Sequence, residues 1–405
     1  MSLKYITGVI EEVFKRFGFC PLETPALENL SVLNAKAYGD EPSKEIFVMK
    51  DEQTGLRYDL TVPLARYVAS NKDLVLPFKR YQIGNTWRKD EPQRMRYREF
   101  IQADIDTVGG AEVESDAEII AAGALAIEEL GIRNYTILLN SRELLKQVIL
   151  SFGVPPEKEV QVLRTLDKLQ KSSRDEVLKL LSAIVPGQAG EKLLGFVEQA
   201  GTNEEKLQRV AANIEGAKEA AEKTAALLSA ISAYRLGGNV VLDLTLARGL
   251  DYYTGFVWEF AIEEDGKRMP SIGAGGRYDN LIGAYGPKPL PATGMTLGVS
   301  RIFDVIAAKE TKKSYAKVYI AYIGPQNRDY AINAANMLRG NGIYTDMNVT
   351  GRNLSKQLEY ASSLGISFVA IVGDKEREAN KLKLRNMENG EEELISLQEA
   401  IEKLK

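Results

Sequence analysis

Histidine is absent from the 405 residues, and cysteine occurs once, at Cys20. Those two shortages exclude a good deal of chemistry. A Ser-His-Asp triad, a Cys-His pair and a His-ligated zinc site cannot be built. A disulfide within the chain cannot form either, which fits a reducing compartment. No run of about 18 apolar residues occurs, so no membrane-spanning helix is expected. The first residues, MSLKYITGVIEEVF, read as an amphipathic helix rather than a signal peptide, and a cytoplasmic location is expected. Also missing are a G-x-x-x-x-G-K-[ST] phosphate loop, a G-x-G-x-x-G after a strand, internal repeats and low-complexity tracts. Charge of one sign is scarce: 52 basic residues face 56 acidic ones, for a net charge of −4. Any nucleic-acid site must therefore be a local basic patch, because the field of the whole chain does not favour one. Catalysis is left to Asp, Glu, Arg, Lys, Tyr and backbone groups, with a carboxylate-bound Mg²⁺ as an option.

What is present divides the chain. Leu3, Ile6, Val9, Ile10, Val13 and Phe17 fall at helical spacing until Gly18. A mixed region follows to residue 140, with its clearest strands at KRYQIGNTWR and RYREFIQADID. The charged stretch KDEPQRM between them predicts a long antiparallel hairpin. Residues 141–235 read as helices throughout and are poor in aromatics, so a helical insertion is expected there. Strand-like stretches return over 236–312 as NVVLDLTLARG and TGFVWEFAIE. They are followed by the Gly-rich SIGAGGRYDNLIGAYG and an amphipathic helix near 298–309. From 315 to 405 strands and helices alternate, the pattern of a small α/β domain of βαβ units.

Four constellations could carry chemistry. Along RYREFIQADID, Ile101, Ala103 and Ile105 lie on one face, while Arg96, Arg98, Phe100, Gln102, Asp104 and Asp106 lie on the other. The second face is either solvated or a polar ligand site. In a ligand site the arginines would neutralise phosphates, Phe100 would offer a flat face to a base, and the carboxylates would take a cation. Arg88 and Arg94 add to the same cluster. The second constellation is LARGLDYYTG, where Arg248 precedes Gly249 and is followed by Asp251, Tyr252 and Tyr253. The alternative there is a plain turn in which Arg248 and Asp251 pair. Third is GAGGRYD, with Gly273, Gly275, Gly276, Arg277 and Asp279, which permits close backbone approach or only a bulge. Fourth is Arg301 near the start of the amphipathic helix, where a basic residue is ordinarily solvated.

In this order and spacing, RYDLTVPLARY (57–67), TWRKDEP through RYREFIQADID, LARGLDYYTG (246–255), GAGGRYD (273–279) and GMTLGVSR (294–301) resemble a class II aminoacyl-tRNA synthetase. Within that class the resemblance is to the histidyl-tRNA synthetase family, in a form closer to its archaeal and eukaryotic branch. It covers nearly the whole chain. The implied fold is an α+β catalytic core, an antiparallel sheet flanked by helices, with a helical insertion and a C-terminal α/β domain of anticodon-binding type. The implied substrates and partners are L-histidine, ATP with Mg²⁺, and tRNA(His), in a homodimer that needs no membrane. CPLETPALE resembles the dimer-forming motif, with Glu28 as a possible anchor.

Residue by residue, the resemblance implies that Asp59, Leu60, Thr61 and Gln102 hold the histidine backbone, chiefly its α-amino group. Asp106 and Tyr253 would read the imidazole, with Tyr252 beside them. Arg88 would hold the α-phosphate and the amino-acid carboxylate. Arg96 and Arg301 would hold ATP phosphates, Phe100 would stack on adenine, and Arg248 would be the catalytic arginine. No protein-held metal is implied. Asp90 stands where the class more often has glutamate. The alternative reading is a regulatory paralogue that binds ATP phosphoribosyltransferase without catalysis. That paralogue typically lacks the C-terminal domain and part of the arginine set, and this chain keeps both.

Overall fold

Leu3–Arg16 forms helix α1 and buries Ile6, Ile10, Val13 and Phe14 along one stripe. Gly18, at φ 79°, takes the left-handed turn that ends it. The computed structural model describes residues 3–34, 45–170, 172–185, 188–236, 239–247, 252–264, 266–307 and 313–405. The chain divides into two compact units, Ser2–Ala308 and Lys309–Lys405.

The first unit is built on one sheet. Its strands are β1 (Cys20–Pro21), β2 (Phe78–Trp87), β3 (Glu99–Val108), β4 (Thr136–Ser141), β5 (Asn239–Leu242), β6 (Phe256–Ala261), β7 (Gly273–Arg277) and β8 (Ala292–Gly298). They lie in the order β1-β2-β3-β8-β7-β6-β4-β5. The six central strands pair antiparallel, and only the two short edge strands, β1 and β5, pair parallel. The expected antiparallel sheet flanked by helices is therefore present. Helices α1, α3 (Val113–Glu129) and α4 (Val299–Ala307) pack on one face. On the other face, helix α2 (Thr61–Ser70) and a cluster containing Tyr58, Val62, Tyr252, Tyr253 and Tyr278 close over the sheet.

The predicted hairpin is β2–β3, in a register that sets Arg80 opposite Asp106 and Trp87 opposite Glu99. Its loop is longer than KDEPQRM. The strands stop at Trp87 and Glu99, and the loop is tied across its base by Arg88 N–H to the Arg98 carbonyl, 2.9 Å. NVVLDLTLARG does not stay extended, because β5 ends at Leu242. There the Asp243 carboxylate accepts from the Thr245 N–H (2.9 Å) and hydroxyl (2.6 Å), a local turn that competes with the ladder.

Between β4 and β5 the chain is helical, with helices at Arg142–Ser151, Glu159–Leu166, Arg174–Ile184, Ala189–Val197, Asn203–Asn213 and Lys218–Ala233. Reciprocal capping pairs, Ser173 with Glu176 and Thr202 with Glu205, start two of them. Their apolar stripes meet in a separate core that includes Leu145, Val162, Leu181, Leu194 and Val210.

In the second unit the sheet order is β10 (Thr345–Met347), β9 (Val318–Tyr322), β11 (Phe368–Val372), β12 (Lys381–Asn386), β13 (Glu392–Ser396). The first three strands are parallel and joined through helices, and the last two form an antiparallel hairpin. A C-terminal helix, Leu397–Leu404, follows, started by a Ser396–Glu399 capping box.

Candidate active site

The polar face of β3 is not solvated. Gln102, Asp104 and Asp106 are 7, 1 and 1 % exposed, as deeply buried as their apolar neighbours on the opposite face. Two glycines make room for what covers them. A Cβ at Gly294 of β8 would stand 2.0 Å from Asp106 Oδ1, so the carboxylate lies where a side chain of the adjacent strand would begin. A Cβ at Gly276 of β7 would stand 2.6 Å from the Tyr253 ring. These close approaches account for Gly276 of GAGGRYD and Gly294 of GMTLG.

Asp106 is held from two sides. The Tyr278 hydroxyl donates a short hydrogen bond to Oδ1, and Arg80 Nη2 lies 2.9 Å from Oδ2. Burial pushes the Asp106 carboxyl up, while Arg80 and the tyrosine bond oppose that rise. Asp104 accepts from the Thr296 hydroxyl at 2.7 Å. Burial lifts its pKa to about 8 against the pull of Arg80, with the Asp106 charge adding to the rise. It therefore keeps its proton at neutral pH. Neither Arg80 nor Tyr278 is implied by the sequence reading. Tyr278 sits inside GGRYD, and the alternation of β2 places Arg80 on the same parity as Arg88.

Asp59 precedes α2, and its Oδ1 accepts from the Val62 N–H at 3.0 Å, capping the helix. Among the described residues its buried Oδ2 has no hydrogen-bond partner, and neither has Gln102 Oε1. Burial raises Asp59 to about 6, although the Val62 N–H, Arg88 and Arg80 all favour the charged form. Two unmatched buried acceptors call for a donor, and an ammonium group supplies several. Leu60 and Thr61 are buried at the start of α2. The rings of Tyr252 and Tyr253 stand 4.7 Å apart, and Tyr252 meets Tyr278 edge-on at 5.8 Å. Asp59, Thr61, Gln102, Asp106, Tyr252 and Tyr253 thus all fall within the buried region between the sheet and α2.

The arginines divide by environment. Arg88, at the end of β2, donates from Nε to the Tyr58 carbonyl at 3.0 Å, and its guanidinium lies 5.3 Å from the Phe100 ring centroid. Arg96 is exposed and donates from Nε to Asp90 at 2.9 Å. Arg94 reaches Glu264 at 3.0 Å. Arg301 is held by the Met95 carbonyl at 3.2 Å and the Ser271 carbonyl at 2.8 Å, so it is fastened to the hairpin loop rather than solvated. Arg277 is structural. Its three nitrogens donate to Asp116 of α3 and to the carbonyls of Gly110 and Glu112. Asp279 pins the turn after Tyr253 through the Thr254 hydroxyl, 3.1 Å. Arg248 lies outside the described residues, with Gly249 and Asp251 beside it.

Comparison with known proteins decides the family. Residues 3–302 match the family model described as histidyl-tRNA synthetase, and residues 317–405 match that of an anticodon binding domain. The chain belongs to the histidyl-tRNA synthetase family. A histidine–tRNA ligase of Korarchaeum cryptofilum is 38% identical over 397 residues, covering 94% of this chain and 90% of that protein. One of Thermococcus kodakarensis is 36% identical, covering 99% and 94%. The crystal structure of the histidyl-tRNA synthetase from Nostoc sp. PCC 7120 superimposes with a TM-score of 0.85 at 27% identity, covering 99% of this chain and 95% of that one. A structure titled ATP phosphoribosyltransferase regulatory subunit/histidyl-tRNA synthetase, from Bacillus halodurans, shares the fold at a TM-score of 0.74 and 22% identity, covering 92% and 94%. The archaeal relatives agree with the branch inferred from RYDLTVP. Nothing favours the regulatory reading: the C-terminal domain is present, with Arg88, Arg96 and Arg301.

Proposed function

We propose that the protein is a histidine–tRNA ligase, which activates L-histidine with ATP to histidyl-adenylate and transfers it to the 3′ end of tRNA(His). The observation that carries this reading is the pair of buried acceptors without a partner among the described residues, Asp59 Oδ2, close enough to Asp106 to feel its charge, and Gln102 Oε1, on the same face of β3 as Asp106. Asp59, Thr61 and Gln102 receive the α-ammonium, beside Leu60. Asp106 and Tyr253 receive the ring, next to Tyr252. A site that hydrogen-bonds both ring nitrogens discriminates strongly, because an analogue leaves buried groups unpaired.

Two anions have to meet for the first step. The histidine carboxylate attacks the α-phosphorus of ATP, a carboxylate–phosphorus bond forms, and pyrophosphate leaves. Arg88 and Arg248 neutralise the approach and the charge that develops on the α-phosphate. Phe100 stacks on adenine, and Arg96 and Arg301 hold the phosphates. Among the described residues no three carboxylate or thiol groups gather as a metal cage. In this reading Mg²⁺ accompanies the phosphates of the substrate. In the second step the terminal ribose 3′-hydroxyl attacks the adenylate carbonyl and AMP leaves, with no side-chain nucleophile.

In this reading residues 1–140 and 236–312 form the catalytic core, 141–235 the insertion, and 315–405 the domain that meets the anticodon, in a cytoplasmic homodimer. The deciding experiment is histidine-dependent exchange of labelled pyrophosphate into ATP, run beside Arg248→Ala and with other amino acids. Exchange that requires histidine and collapses in the variant is expected. Well-folded protein without exchange would sink the ligase reading.

A further inference from the structure

Arg80 has no exposed surface. Its Nη2 does two things at once: it stands 2.9 Å from Asp106 Oδ2 on β3 and donates to the Leu60 carbonyl at 3.0 Å. Leu60 is the residue at which α2 begins, between Asp59 and Thr61. The other two nitrogens, Nε and Nη1, are buried and have no hydrogen-bond partner among the described residues. A buried guanidinium with unmatched donors is a poor choice for stability alone. Apolar side chains that replace buried ion pairs are often neutral or better. What this arginine does, and an apolar residue could not, is join two walls. One is the strand that carries Asp106. The other is the turn that carries Asp59 and Thr61.

We propose that Arg80 is a positioning residue for the amino-acid substrate, a single guanidinium that sets the separation between the groups receiving the ring and the groups receiving the α-ammonium. The inference rests on the histidine-site reading given above. The substrate supplies the matching ruler, because one methylene links its α-carbon to its ring and fixes the span the two walls must have. Asp106 is then held from two sides, by Tyr278 on Oδ1 and Arg80 on Oδ2, in the space that Gly294 leaves open. Releasing Arg80 frees Asp106 to swing and unhitches the start of α2 from the sheet, while on the ATP side Arg301 keeps its bonds to the Met95 and Ser271 carbonyls and Phe100 its place on β3.

The test uses the full-length protein and pyrophosphate exchange, with KM for histidine and for ATP measured separately beside thermal melts. Arg80→Met is expected to raise KM for histidine about tenfold or more, in line with the cost of a small misplacement in a bound substrate. KM for ATP should stay within about twofold, since its contacts do not pass through Arg80. Arg80→Lys should recover part of the loss, because an ammonium can still bridge a carboxylate and a carbonyl. Arg80→Gln removes the charge but keeps an amide that can donate to the Leu60 carbonyl, so it should melt higher than Arg80→Met while the histidine KM stays raised. The inference is overturned if folded Arg80→Met, or Arg80→Gln where the methionine variant does not fold, keeps the wild-type histidine KM. It is overturned equally if the two KM values rise together, since that marks a merely structural role. Failure of the ligase reading looks different, because wild type itself would then show no histidine dependence.

Discussion

The guanidinium of Arg88 lies over the ring of Phe100, 5.3 Å from its centroid, while its Nε is tied to the Tyr58 carbonyl. A cation is thus aimed from the end of β2 by one ring and one backbone oxygen. Lysine reproduces neither the flat stacking nor the directed Nε bond. Arg88→Lys should lower pyrophosphate exchange by about 10²–10³-fold, the usual size of losing a preorganised charge at a developing anion. Melting temperature should hardly move, since Arg88 supports little of the core. Near-normal exchange in that variant would remove Arg88 from the reaction.

Asp59 shows the cost of keeping a site ready. Burial raises its carboxyl from 3.8 to about 6, so between about pH 4 and 6 the folded chain holds a proton that the unfolded chain has released. Stability falls as pH rises through that window, and the ionised group costs about 3 kcal/mol above it. Asp59→Asn should therefore melt higher than wild type at pH 7.5, with the gain shrinking toward pH 5, where Asp59 is itself neutral. The asparagine oxygen still caps Val62, but histidine binding should weaken sharply. Equal melting temperatures at pH 7.5 would contradict this account, and titration calorimetry with histidine checks the binding half.

Arg277 and Asp116 tie β7 to α3 through the sheet, with Nη2 and Nε at 2.7 and 3.0 Å from one carboxylate oxygen. Asp116 has no exposed surface. Arg277→Met strands that charge and should cost about 3–5 kcal/mol in urea unfolding. Arg277→Met/Asp116→Leu should restore a large part of the loss, because the uncompensated charge goes with its partner. A single variant as stable as wild type would show that the pair is not load-sharing.

Leu27, Val48 and Met49 are 47, 43 and 42 % exposed around the small two-stranded sheet formed by Leu27–Asn29 and Thr54–Leu56. Grouped apolar exposure of this kind marks an interaction surface, and a two-fold dimer is the commonest soluble assembly. It lies beside CPLETPALE. Glu28 itself is buried against Arg66 at 2.7 Å within the same chain, so it shapes the surface from beneath. Light scattering at micromolar concentration should give twice the 44.8 kDa of one chain. A monomer mass would count against the dimer.

Much of this was legible in the sequence, and the gaps have physical causes. The alternation of RYREFIQADID picked out the face carrying Phe100, Gln102 and Asp106, because side chains in a strand must alternate. Alternation within one strand cannot say what lies opposite. The Arg80–Asp106 pairing depends on register, and register depends on where the loop begins. Here Arg88 and Arg98 close the base of the loop through the backbone, and Met95 adopts φ 62° inside it. Strand β13 was hidden for a different reason. Its residues, EELIS, carry charges suited to a helix start, and they become a strand through pairing with β12, where Glu392 meets Lys383 and Arg385. Arg301 was read as ordinarily solvated because one residue on a helix says nothing of the carbonyls that fold back onto it.

The gap at Gly294 has a consequence for descent. A strand in the middle of the sheet carries no side chain there, and the space is taken by the carboxylate of its neighbour. Backbone pairing between β3 and β8 asks only for N–H and carbonyl groups, which every residue but proline supplies. One added methyl at 294 would thus press first on the Asp106 carboxylate, 2.0 Å away, and less closely on the Ile105 carbonyl, 2.8 Å away. A duplicated gene has a short route from such a ligase to a protein that keeps the architecture and gives up the reaction.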